Sequence, residues 1–199
     1  MAHELPPLTY GYADLEPWYD EQTLRLHHDK HHQGYVNGLN GAEAALAAAR
    51  EAGDFGAVKD ATAALAFHGP GHMLHSTFWT NMKPQGGGAP EGALLEQLVT
   101  AFGSYEGFLG QMKKATATVE GSGWGLLVWN RTFGKLEVLQ AHNHQHTAHW
   151  ASVPVLAVDV WEHAYYLKYQ NRRAAFIDVF FGHLVDWDDV AARLEGARS

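Results

Sequence analysis

Four clusters in this 199-residue chain combine residue types and spacings that can do chemistry. The first is His27-His28-Asp29-Lys30-His31-His32-Gln33-Gly34-Tyr35. On an α-helix, positions four apart share a face, so His27, His31 and Tyr35 line one stripe, with His28 and His32 beside it. Imidazoles at this spacing either hold a metal ion or sit as hydrogen-bonded histidines on a polar helix; the segment alone leaves both open. The second is His72-Met73-Leu74-His75, running into Phe78 and Trp79. A histidine beside two aromatics reads, on its own, as a core residue. The third is Asp159-Val160-Trp161-Glu162-His163-Ala164-Tyr165-Tyr166, where the apolar run Val153–Val158 hands over to a helix. A carboxylate there is costly to bury unless it is paired or bound to a cation. It can also cap the helix, and the two uses are compatible. The fourth is the loop His142-Asn143-His144-Gln145-His146, with His149 nearby; His146 and His149 read as surface residues.

Taken together, these pieces suggest one site: imidazoles from two helices, joined by a carboxylate and an imidazole from a strand-to-helix junction. Three neutral histidines and one aspartate suit a first-row transition ion. The chain has no cysteine, which excludes disulfides, thiolate metal sites and cysteine nucleophiles. Its 14 histidines equal its lysines and arginines combined, a count that fits either a solvated surface habit or a chain that holds a metal.

The elements that must position these residues follow from pattern and punctuation. Residues 1–19 read as an irregular, aromatic- and proline-rich arm. Asp20 is a plausible N-cap for a helix to about Leu39, an Ala-rich run follows to Ala52, and Gly53 stops it. Val58–Phe67 resumes the helix. His68-Gly69-Pro70-Gly71 is expected as a turn opening a further helix near His72. Lys83 to Pro90 holds two prolines and three glycines and places a boundary between residues 1–88 and 89–199. Beyond it come a helix with Leu94, Leu98 and Phe102 on one side, and a second helix capped by Ser104. Trp124–Trp129 and Lys135–Ala141, joined through Asn130–Gly134, predict a β-hairpin, and Val153–Val158 a third strand. Glu162 to about Leu184 is expected as one helix, and Asp186 caps a last one. The fold class is therefore α+β: a helical N-terminal hairpin packed on a C-terminal part with a small three-stranded antiparallel sheet. Trp79, Trp129 and Trp187 are expected to be core packing.

A net charge of −8 argues against general nucleic-acid binding. A charged fraction of 18% with 7 Trp, 8 Tyr and 9 Phe excludes a disordered chain. No stretch approaches the ~20 apolar residues of a membrane span, and the opening residues show no secretory pattern, so a cytoplasmic setting is expected.

Four motifs in order resemble the manganese/iron superoxide dismutase family over nearly the whole chain. They are Leu26-His27-His28-Asp29-Lys30-His31-His32 through Tyr35-Val36-Asn37, then Gly71-His72-Met73-Leu74-His75-Ser76, Gly121-Ser122-Gly123-Trp124, and Asp159 through Tyr166. The resemblance implies that His27, His75, Asp159 and His163 hold one Mn or Fe ion per subunit, with a further position for solvent. It implies disproportionation of superoxide, 2 O₂⁻ + 2 H⁺ → O₂ + H₂O₂, as the ion cycles between +3 and +2. His31 and Tyr35 would guard the substrate funnel, and Trp124 and Trp161 would wall the metal. Glu162 would reach across a homodimer to the partner's His163, and Tyr166 would meet the partner's His31; a tetramer is the other expected assembly. Arg173 would stand near the entrance, where it and Lys30 would draw in the anionic substrate. The chain departs from the pattern in the loop, where His144 takes the place of a solvent-binding Gln. Gly71 stands where many iron members carry Gln and leans toward manganese. Leu126 and Leu74 replace a common Trp and Asn. A hydrolytic zinc enzyme and a histidine-rich storage protein are the competing readings. The first needs a free general base, and the second has no need of an aromatic wall.

Overall fold

The computed structural model describes residues 2–199; Met1, the first residue of the expected arm, lies outside the described residues. Helix α1 (Glu21–Leu26) starts where Asp20 accepts from Thr23 N, which supplies a partner to an otherwise free first-turn amide. The helix then winds as a π-helix over His27–His32 before continuing as α2 (Gln33–Ala52), and Gly53 ends it at φ 65°. This wider winding corrects the four-residue stripe. His27 and His32, five apart, are both fully buried, whereas His31 is exposed.

Helix α3 (Val58–Thr80) runs unbroken through Pro70, so the expected turn at 68–71 is not a turn. Pro70 forfeits one helical hydrogen bond, and the flanking glycines serve packing against α2 instead. A Cβ on Gly71 would lie 2.7 Å from Tyr35 Cδ1, and one on Gly38 would meet the His68 ring at 2.5 Å. Those pairings rise in α2 as they fall in α3, which makes the two helices an antiparallel hairpin.

The segment 83–90 straps the halves together. Lys83 N donates to Leu184 O and Gly87 N to Val185 O. A Cβ on Gly87 would stand 2.1 Å from Gly182 O, so only glycine permits this backbone-on-backbone approach. Beyond it, α4 (Gly92–Phe102) and α5 (Tyr105–Ala117) precede the sheet, with Ser104 Oγ accepting from Gly107 N. Strands β1 (Gly123–Asn130), β2 (Lys135–His142) and β3 (Ser152–Asp159) form an antiparallel sheet of order β2-β1-β3, with Trp124 opposite Asp159. A 3₁₀ turn (Glu162–Ala164) follows, then α6 (Tyr166–Tyr169), α7 (Arg173–Val179), a π-helical stretch (Phe180–Leu184) and α8 (Trp187–Arg198) under the Asp186 cap. The single helix expected from Glu162 to Leu184 is thus broken. Gln170 sits at φ 52°, ψ −131°, which no helix accommodates. One apolar core spans both halves, joining Leu24, Leu74 and Phe78 to Leu98, Phe108, Trp124, Leu156, Phe176 and Phe180.

Asn81, fully buried at the end of α3, ties that helix to the free edge of β3. Its Nδ2 donates to Val155 O (3.2 Å) and to Asp189 Oδ2 (2.8 Å), and its Oδ1 accepts from Ala157 N (2.8 Å). Asn81→Ala would leave a buried amide and carbonyl of β3 unpaired, each costing ~1–3 kcal/mol. A drop of about 2–4 kcal/mol in urea-unfolding stability is expected on that basis; an unchanged midpoint would contradict this role.

Candidate metal centre

Four side chains from four elements converge between the halves. His27 comes from the π-helical turn, His75 from α3, Asp159 from the last position of β3 and His163 from the 3₁₀ turn. One ligand atom from each lies within 4.8 Å of all the others. Asp159 Oδ2 is 3.1 Å from His27 Nε2, 3.4 Å from His163 Nε2 and 3.6 Å from His75 Nε2. These are the only four residues among those described that form such a group of metal-ligating side chains. His27 Nε2, His75 Nε2, His163 Nε2 and Asp159 Oδ2 are all buried without a hydrogen-bond partner of good geometry. Buried polar atoms are costly when unpaired, so four of them aimed at one point fit a bound cation. The donor set of three imidazoles and one carboxylate suits manganese, iron or zinc.

The electrostatics agree. Burial pushes the His27 imidazole down to about 4, against the opposing pull of Asp159. Burial, reinforced by His27, holds His75 well below the usual range. Both rings are therefore neutral near pH 7, with a lone pair available for a metal. Burial alone would raise the Asp159 carboxyl, but the His163 and His27 imidazoles beside it prevail and hold it well below the usual carboxylate range. Its other oxygen accepts from Trp161 N at 2.8 Å, which orients it as a short turn cap as well.

The surroundings orient these groups. His75 Nδ1 donates to Gly71 O at 2.6 Å, leaving Nε2 for the centre. His144 is buried between Trp161, whose ring stacks on it at 4.8 Å, and Tyr35, which meets it edge-on at 4.5 Å. Trp124 Nε1 donates to His144 Nδ1 at 3.0 Å. The neutral ring therefore carries its proton on Nε2, an atom that is buried and has no partner. Burial holds His144 down to about 4, and burial raises the Tyr35 phenol. Trp161 Nε1 is anchored on Asn143 O at 3.1 Å.

His31 stacks on His163 at 4.1 Å but stands on the solvent side. Glu162 and Tyr166 do not enter the centre; both are exposed, Tyr166 at 47%. Arg173 donates to Val119 O, Gly121 O and the Tyr165 hydroxyl, so it braces the start of β1. Two further residues belong to the surroundings, Trp79, read only as packing, and Tyr19, which no reading singled out. Trp79 packs edge-on to His27 at 4.7 Å and donates to His32 Nδ1 at 2.8 Å. Tyr19 Oη lies 2.9 Å from His27 Nδ1. No sequence spacing marks Tyr19, because it reaches His27 from an irregular loop.

Comparison with known proteins matches this arrangement to one family over most of the chain. Residues 2–83 match "Iron/manganese superoxide dismutases, alpha-hairpin domain" and residues 90–193 match "Iron/manganese superoxide dismutases, C-terminal domain". The chain is 48% identical to a protein named superoxide dismutase [Mn] 2 from Haloferax volcanii, over 99% of this chain and 98% of that protein. It is 50% identical to superoxide dismutase [Mn] from Haloarcula marismortui, over 96% and 93%. It is 41% identical to superoxide dismutase [Mn/Fe] from Propionibacterium freudenreichii subsp. shermanii, over 99% and 98%. With both halves matched in order and the four converging side chains in place, the chain belongs to the iron/manganese superoxide dismutase family.

Proposed function

We propose that this chain disproportionates superoxide to O₂ and H₂O₂, using one manganese or iron ion per subunit held by His27, His75, Asp159 and His163. The observation that carries the reading is the convergence of four buried atoms that lack any other partner. When bound, such an ion supplies one-electron redox chemistry, cycling between +3 and +2. Support for manganese comes from the metal named for the two haloarchaeal relatives and from Gly71, where any side chain would collide with Tyr35.

The chain's own residues supply protons and exclusion. The reaction consumes two protons, and two groups stand ready to hold them. His144 carries a proton on a buried Nε2 that has no other partner, and Tyr35 keeps its phenolic proton because burial raises it. Trp124 and Trp161 fix His144 by hydrogen bond and stacking, and their rings keep bulk water out. His31 and Tyr35 frame the way in.

Two copies are proposed to associate over the face bearing Glu162 and Tyr166. There Tyr166, Leu167 and Leu26 are exposed at 47%, 55% and 43% beside the His31–His163 stack. Glu162 would hydrogen-bond the partner's His163 and Tyr166 the partner's His31; a tetramer would pair two such dimers. We retain residues 1–88 and 89–199 as the two structural units, supported by the change from helical hairpin to sheet across the strap. No helix among the described residues is long and apolar enough to cross a membrane; action in the cytoplasm is part of the proposal.

Reconstitution tests the reaction. Protein loaded with Mn or Fe should dismutate superoxide at near one ion per chain, and protein loaded with Zn should not. Equal activity with zinc would overturn the redox reading. Arg173 near the entrance should steer the anionic substrate. Arg173→Gln should lower kcat/KM and flatten its dependence on salt, and Arg173→Lys should restore the salt dependence. Because Arg173 also braces Val119 and Gly121, a loss in both variants with an unaltered salt profile would assign it to bracing alone.

A further inference from the structure

Tyr19 precedes α1 at the end of the irregular N-terminal arm. Its ring is 1% exposed and lies against Phe78 and Phe176 at 6.3 and 6.1 Å. Its hydroxyl sits 2.9 Å from His27 Nδ1, its only hydrogen-bond partner among the described residues. Two of the three histidines of the centre thus have a partner on Nδ1, and the two partners differ in kind. His75 faces a carbonyl, Gly71 O, which only accepts. His75 is therefore held with its proton on Nδ1 and its Nε2 lone pair free, whether or not a metal is present. His27 faces a hydroxyl, which both donates and accepts.

The difference matters because His27 Nε2 is also 3.1 Å from Asp159 Oδ2, the shortest contact within the cluster. Without a metal, the charge of the Asp159 carboxylate 3.1 Å away favours the His27 proton on Nε2, while the Tyr19 hydroxyl donates to Nδ1. With a metal on Nε2, that proton must leave the nitrogen. The neutral ring then carries its proton on Nδ1 and donates to the Tyr19 oxygen. We infer that Tyr19 is a positioning residue for the metal, whose hydroxyl holds the His27 ring in place through both tautomers and so sets how tightly the ion is bound. The inference rests on the reading of His27 as a ligand.

Tyr19→Phe keeps the ring and removes only the oxygen. Groups that hydrogen-bond a ligating histidine typically contribute ~10–100-fold to metal affinity, so the Mn(II) dissociation constant, measured by chelator competition, should rise by about that factor. Phe176→Leu, which loosens the same packing without touching His27, should leave it near the wild-type value. Unchanged affinity in Tyr19→Phe, or an equal loss in Phe176→Leu, would overturn the inference. If Tyr19→Phe does not fold, ¹⁵N-histidine spectra of the wild-type protein decide instead. The His27 proton should sit on Nε2 in the metal-free protein and on Nδ1 with Zn(II) bound. A proton on Nδ1 in both states would overturn the inference. Should His27→Ala lose the metal while Tyr19→Phe keeps full affinity, only the role of Tyr19 falls; should His27→Ala keep it, the ligand assignment itself fails.

Discussion

Replacing His27 with alanine is expected to abolish metal binding and dismutase activity together. The side chain is fully buried, and its Nε2 is the imidazole nitrogen nearest Asp159 Oδ2. Alanine leaves a three-donor site with a gap on one side. Removing a partner of a ligand costs ~10–100-fold in affinity; removing the ligand itself should exceed that range. Elemental analysis of the purified variant should show metal well below one ion per chain. Its unfolding midpoint should no longer rise when Mn(II) is added, because an ion that does not bind the folded state cannot stabilise it. Full metal content in His27→Ala would contradict the assignment.

His144→Ala should have the opposite signature, keeping the metal and losing activity. His144 is not among the four converging side chains, yet its ring lies 5.9 Å from that of His75, its Nε2 is buried without a partner and Trp124 fixes its tautomer. Removing it deletes a proton donor beside the site, and a fall of about 10–100-fold in kcat is expected from the usual cost of losing such a group. His144→Gln should recover part of the loss. A glutamine can accept from Trp124 with its carbonyl and donate with its amide. Metal loss as complete as in His27→Ala would make His144 a ligand, and unaltered turnover in His144→Ala would remove it from the mechanism.

Where the chemistry was local, the residues alone declared it. Asp20, Ser104 and Asp186 each cap a helix because a short polar side chain satisfies a first-turn amide a few residues on. The hairpin and the third strand follow from apolar runs and an Asn130–Gly134 turn. The candidate ligands were legible through the family resemblance of the motifs that hold His27, His75, Asp159 and His163; the residues by themselves marked only the Asp159–His163 junction strongly.

What no spacing could declare depends on groups far apart in the chain. The π-helical winding at His27–His32 places His32 rather than His31 in the buried layer, and it is held there by bonds to His72 and Trp79. Pro70 stays helical because Gly71 and Tyr35 lock α3 onto α2. Gln170 breaks an otherwise helical pattern in the backbone itself. Tyr19 gains its importance from one contact made by a loop. Composition and local pattern thus determined the helix caps, the hairpin and the fold class, and the motifs' family resemblance named the donor set. Long-range packing decided their phase and partners, because each of those choices is settled by energies from residues the local sequence does not contain.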